Sequence, residues 1–147
     1  MDLKTRLAED TKSALKSQDK ERLSVLRMVQ SDVRYEEIKG KEPLDDSAVT
    51  AVLSRCAKQR RESIAQFRKG GRDDLVRKEE KELEIIQAYL PKQLSPAELE
   101  EVTQRTIRAT GAASLKDMGA VMKQVMDEVA GQADGKAVSE LVRRLLS

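Results

Sequence analysis

The chain has 147 residues, enough for one domain or two small ones, and its charged residues (37%) nearly cancel to a net +2. Hydrophobic residues (39%) recur at regular spacing, which excludes the apolar-poor, highly charged composition of disorder. Aromatics at 2%, seven glycines and three prolines exclude a turn-rich β protein and leave a Leu, Val, Ile, Met and Ala core of the kind built helix on helix.

A first helix is predicted from about Asp2 to Ser17, with Leu3, Leu7, Thr11 and Leu15 as its apolar face. After a short polar break, Asp19 caps a second helix over Lys20–Lys39. Its apolar side carries Leu23, Leu26, Val29, Val33 and Ile38, and Gly40 is the expected stop. The third helix follows Asp45 or Asp46 and runs to Lys69, with Val49, Leu53, Cys56, Ile64 and Phe67 facing inward and Gly70-Gly71 ending it. The fourth runs from Asp73 to Leu90, because Pro91 disfavours helical backbone at the residue before it.

Ser95-Pro96-Ala97-Glu98 reads as a capping box with proline in the first turn, opening a fifth helix that ends at Gly111. Ser114 caps a sixth, carrying Leu115, Met118, Val121, Met122, Val125, Met126 and Val129 up to Gly131. Asp134-Gly135 starts a seventh with Val138, Leu141, Val142 and Leu145. The expected fold is therefore all-α, with an N-terminal helical subdomain of about four helices over 1–91 and a small three-helix C-terminal subdomain over 92–147.

Chemistry is sparse. Histidine is absent, which removes the commonest general base and imidazole ligand. Cys56 lies mid-helix on the apolar side with no second cysteine, so it reads as a core thiol. No phosphate-binding glycine loop occurs, and neither a catalytic residue, a metal site nor a cofactor is expected. The lone cysteine and the lack of an apolar run approaching ~20 residues point, by elimination, to a cytoplasmic protein away from the membrane.

Charge offers more. Arg55, Lys58, Arg60, Arg61, Arg68, Lys69 and Arg72 form a basic run opposed only by Glu62, and on a helical wheel Arg61, Arg68 and Arg72 fall within about 40°. This is either a strip able to track a phosphate backbone or a solvated helix face. Arg27, Arg34 and Arg60 lie near apolar faces, as do Glu79 and Glu82. Some of these are expected to pair across helices, the alternative being arginines that snorkel from the edge of the stripe. Met118, Met122 and Met126 read as core or as an adaptable surface. Gly131–Lys136 reads as a turn or as a phosphate-facing helix start.

Several ordered stretches resemble the GatB/YqeY family, in the form of its stand-alone YqeY-like members. They are Leu23-Ser24-Val25-Leu26-Arg27-Met28, Gln59-Arg60-Arg61-Glu62-Ser63, Gly71-Arg72-Asp73-Asp74-Leu75 and Glu84-Ile85-Ile86-Gln87-Ala88-Tyr89-Leu90-Pro91. Asp117-Met118-Gly119-Ala120-Val121-Met122 and Ala133-Asp134-Gly135-Lys136-Ala137-Val138 continue the likeness to near the C-terminus. The resemblance implies two helical subdomains and a link to tRNA. Similar domains form the tail of the B subunit of the glutamine-dependent amidotransferase, a carbon–nitrogen ligase acting on Glu-tRNA(Gln) or Asp-tRNA(Asn).

The resemblance thus implies a non-catalytic accessory protein, binding tRNA or associated with the amidotransferase. The alternative is a helical adaptor that docks a tRNA amidotransferase or an aminoacyl-tRNA synthetase. Family members often carry basic residues where this chain has Ala120 and Gln132. Lys116, Lys123, Lys136, Arg143 and Arg144 remain as the RNA-binding candidates of the C-terminal half.

Overall fold

The computed structural model describes all 147 residues and contains seven α-helices and no strand. They are α1 (Leu3–Lys16), α2 (Lys20–Gly40), α3 (Asp46–Lys69), α4 (Asp73–Gln87), α5 (Pro96–Thr110), α6 (Met118–Glu128) and α7 (Gly135–Leu146). The chain divides into two compact units, Met1–Leu90 and Pro91–Ser147, each with its own apolar core. No helix is long and apolar enough to cross a membrane.

The helix starts follow from side-chain oxygens placed to meet free amides. Asp2, Asp19 and Asp45 accept from the backbone N–H groups of Thr5, Arg22 and Ala48, at 2.7, 3.2 and 2.9 Å. Ser95 and Glu98 close the reciprocal capping box in front of α5. The stops use left-handed backbone, adopted by Gly71 after α3 and Gly111 after α5.

Four sequence expectations need correction. Gly40 is the last helical residue, and Lys41 takes the left-handed conformation (φ 57°) instead. The Glu37 side chain ties down this corner by accepting from Lys4 Nζ and from the Leu44 N–H, both at 2.8 Å. Helix α4 ends at Gln87, not Leu90; two i→i+3 turns follow, and Tyr89 turns back into the core.

Leu115 lies in a 3-10 turn, Leu115–Asp117, rather than on α6, and is 51% exposed. Asp117 fixes that turn by accepting from the Ala113 N–H at 3.0 Å. Finally, Leu15 and Ile38 are exposed at 56% and 71%. A four-residue spacing drifts about 40° per step, so Leu15 has rotated about 120° from Leu3. The residue that α1 buries there is Ala14.

The first unit packs Leu7, Leu26, Val29, Leu53 and Ile86 into one cluster that also takes in Cys56. The second packs Leu99, Val121, Val125, Val129, Val138 and Val142, with Met118, Met122 and Met126 half-buried along its edge. The residues before α5 are clipped to this unit. Leu94 donates its N–H to the Gln132 carbonyl at 2.8 Å, and Gln93 Nε2 donates to the Gly131 carbonyl at 2.7 Å.

Leu53 is completely buried, so Leu53→Ala is expected to cost about 2–5 kcal/mol in urea unfolding. Leu15→Ala, on the exposed side of α1, is expected to change stability by no more than about 0.5 kcal/mol in the same measurement.

Candidate nucleic-acid surface

The groups with intrinsic reactivity are turned inward. Cys56 is fully buried and its Sγ lies 3.4 Å from the Asp32 carboxylate. Burial above all, then the hydrogen bond to Asp32 and its charge, push the thiol up to about 11, so it stays protonated at neutral pH. No group of three or more acidic or cysteine side chains is arranged to hold a metal ion.

The first unit has an open cleft of about 470 Å³, where Arg6, Arg22 and Lys81 are matched by Asp19, Glu21 and Glu84. Its arginines are already engaged. Arg6 stacks 4.5 Å above the Tyr89 ring and donates to the Ala88 carbonyl at 3.0 Å. Arg22 lies 3.6 Å from Asp10, which also accepts from the Tyr89 hydroxyl. Burial, then the bond to Asp10, push that phenol up to about 12. With cations and acids balanced and its tyrosine protonated, the cleft reads as a polar net of one ion pair, a cation–π contact and hydrogen bonds joining α1, the start of α2 and the turn after α4.

Of the charged residues near apolar faces, Arg60 is the one drawn inside. Its Nε lies 3.0 Å from Glu82 and 3.5 Å from Glu79, all three side chains being under one-fifth exposed. The guanidinium also rests against Met28 of α2. Nε and the nearer Glu79 oxygen lack a well-directed hydrogen bond, so the cluster is held by charge more than by geometry. One cation answers two carboxylates. Desolvation first, and repulsion from Glu82 second, hold the Glu79 carboxyl above its usual range, with Arg60 opposing both.

Arg27 and Arg34 do not join this cluster, which corrects their assignment as ion-pair candidates. Helix α2 buries Val25, Leu26, Val29 and Val33. At 3.6 residues per turn, that line is centred more than about 100° from both arginines, which are exposed and outside every ion pair. The same outward side carries Lys20, Ser24, Ser31, Tyr35 (65% exposed) and Ile38. The residue spacing held a usable signal: Lys20, Arg27 and Arg34 recur every seven positions within an arc of about 40° that holds no acid.

The basic run of α3 is split by the fold. Arg72 does not share a helical face with Arg61 and Arg68, because α3 ends at Lys69 and the Gly70-Gly71 turn makes Arg72 the residue before α4. Several cations are also partly neutralised. Arg55 lies 3.5 Å from Glu36, Arg68 3.0 Å from Glu80, and Arg72 3.3 Å from Asp74. Lys58 and Lys69 remain exposed and unpaired on the outer side of α3, with half-buried Arg61 at its flank. In the second unit Arg144 lies 3.4 Å from Glu100, while Lys116, Lys123, Lys136 and Arg143 are exposed and unpaired. Asp134 accepts from the Lys136 N–H at 3.4 Å and so occupies an amide that the α7 start would otherwise offer to a phosphate.

These features define a class: an all-helical, two-unit protein whose surface chemistry is carried by charge. The chain belongs to the YqeY-like family, whose model matches residues 4–146. It is similar to Altered inheritance of mitochondria protein 41, mitochondrial, of Eremothecium gossypii, at 39% identity over 67% of this chain and 54% of that protein. The namesake of Pyrenophora tritici-repentis is 28% identical over 96% of this chain and 79% of that protein. That of Kluyveromyces lactis is 32% identical over 84% and 66%. The chain thus spans about half the length of the first of these relatives.

These relatives are mitochondrial by name, which overturns the purely cytoplasmic location expected from the sequence. A lone cysteine and the lack of an apolar span do not separate the cytoplasm from other reducing compartments. None of the three names carries a catalytic activity.

The Arg60 cluster makes a pH-dependent contribution. Because folding raises the Glu79 pKa, the folded chain holds that proton more tightly than the unfolded chain. Stability should therefore fall as pH rises from the unfolded value of 4.5 through the higher folded value, and then level off. Glu79→Gln is expected to flatten this decline in urea midpoints taken across pH. Arg60→Ala is expected to cost about 3 kcal/mol at neutral pH, and less once the Glu79 carboxyl is protonated.

Proposed function

We propose that this chain is a non-catalytic accessory protein that binds tRNA. Its family likeness links it to the glutamine-dependent carbon–nitrogen ligases that amidate Glu-tRNA(Gln) and Asp-tRNA(Asn). The observation that carries the reading is that six of the basic residues singled out in the sequence are exposed and outside every ion pair: Lys58 and Lys69 in the first unit, and Lys116, Lys123, Lys136 and Arg143 in the second. A cation with no carboxylate partner is available to replace the counterions of a phosphate backbone, and the released ions drive association.

Paired arginines can add to this. Arg55, Arg68, Arg72 and Arg144 are each half-exposed or more, and such surface pairs are worth about 0–1 kcal/mol, little enough for a phosphate to compete. With so few aromatics, recognition rests chiefly on backbone charge and shape. Neither buried Cys56 nor the charge-balanced cleft supports a reaction centre in this chain.

Binding to deacylated tRNA is expected to weaken steeply with salt. Four phosphate contacts give a log–log slope of about −4, and Lys58→Ala/Lys69→Ala is expected to reduce its magnitude by about 2. No measurable affinity at low salt, or none beyond that for heparin of equal charge, would contradict the reading. The purified chain given glutamine, ATP and Glu-tRNA(Gln) is expected to release no glutamate.

A further inference from the structure

We infer that the outward side of α2 is a docking strip for an RNA segment with an unpaired base, its phosphates on Lys20, Arg27 and Arg34 and its base stacked on Tyr35. This deepens the RNA-binding reading and rests on it. The strip lies opposite the α2 core line, and at 100° per residue its members fall within an arc of about 100°. That arc contains no acid.

The carboxylates of α2 beyond its first turn are engaged elsewhere. Asp32 accepts from Cys56, Glu36 lies beside Arg55, and Glu37 accepts from Lys4 and from the Leu44 amide. The Glu37 carboxyl is held below its usual range first by the Lys4 bond and then by the Leu44 amide, with the charge of Arg34 a minor addition, and Arg34 itself makes no ion pair. Three cations with no carboxylate partner thus run over about 21 Å of helix, at 1.5 Å per residue.

Tyr35 follows the last of them in sequence and lies at the other edge of the arc, about 100° round the helix from Arg34. Of the three aromatic side chains, Tyr89 is in the core and Phe67 is half-buried, while Tyr35 is 65% exposed. An aromatic ring held in water at the margin of a cationic row is what base stacking along a basic groove uses. A protein partner fits less well. An interface core is apolar and depleted in charge, whereas this strip offers two large apolar side chains, Tyr35 and Ile38, at one end of a cationic row.

The test measures binding of the full chain to a stem-loop RNA with an unpaired loop and to a blunt RNA duplex of equal nucleotide count, across salt. Arg27→Ala/Arg34→Ala is expected to reduce the magnitude of the salt slope by about 1.5 to 2. Tyr35→Ala is expected to weaken stem-loop binding about tenfold with an unchanged slope, and duplex binding hardly at all. Tyr35→Phe, which keeps the ring face, is expected to bind like the unaltered chain. All these side chains are exposed, so thermal midpoints should stay put and loss of fold is separately visible.

Stem-loop binding by the Arg27/Arg34 and Tyr35 variants equal to that of the unaltered chain would overturn the strip while leaving the RNA-binding reading intact; it is also the outcome if a protein docks there. Equal losses for Tyr35→Phe and Tyr35→Ala would overturn base stacking. An unaltered chain with no affinity for either RNA would remove the RNA-binding reading and this proposal together.

Discussion

Arg60 stands in the middle of the line that α3 buries, and α4 must bring charge to meet it. Glu79 and Glu82, three residues apart on one side of α4, supply it from 3.5 and 3.0 Å. A guanidinium left alone in that position would be a desolvated charge without a counter-ion, a cost that weighs against any α3–α4 register separating Arg60 from both carboxylates. The outer surface follows from this constraint. At 100° per residue, Lys58 and Lys69 lie about 160° and 180° from Arg60, so the contact that seats Arg60 inward turns those lysines to water.

The same sorting of charge holds on α2. Asp32, Glu36 and Glu37 are engaged with groups on α1, on α3 or in the following loop, and the outward side is left with cations and a tyrosine. A near-neutral chain can therefore carry locally positive strips. Net charge, the first quantity read from composition, conceals this, because it averages engaged carboxylates with free cations. The YqeY-like match covers residues 4–146, and the relatives to which the chain is similar are mitochondrial by name.

Much of the fold was legible in the sequence because local signals and global packing agree. Ser95-Pro96-Ala97-Glu98 opens α5, Gly70-Gly71 closes α3, and Val121, Val125 and Val129 are core. Where signals were ambiguous, tertiary structure decided. Helix α2 offers two overlapping apolar lines, one through Leu23 and Leu26 and one through Val25 and Val29. Packing centred the buried side between them, on Val25, Leu26, Val29 and Val33, leaving Leu23 at its edge and Arg27 and Arg34 on the open side. Leu115 left its stripe because Asp117 tightened one turn, and Arg72 left its row because two glycines intervened. The charges set near apolar faces, Arg60, Glu79 and Glu82, signalled a pairing across helices, whereas surface pairs such as Arg55 with Glu36 and Arg68 with Glu80 leave no trace in one-dimensional spacing.

The central claim is that this molecule works through fixed, outward-facing charge on rigid helices. Amide chemical-shift mapping of the isotope-labelled chain, titrated with deacylated tRNA at low salt, tests it most directly. The account requires perturbations along the outer sides of α2 and α3, around Arg27, Ser31, Tyr35, Lys58 and Lys69, with Cys56 and its core neighbours unmoved. Perturbations confined to the Arg6–Tyr89 cleft, or spread through the core as a rearrangement, would contradict it.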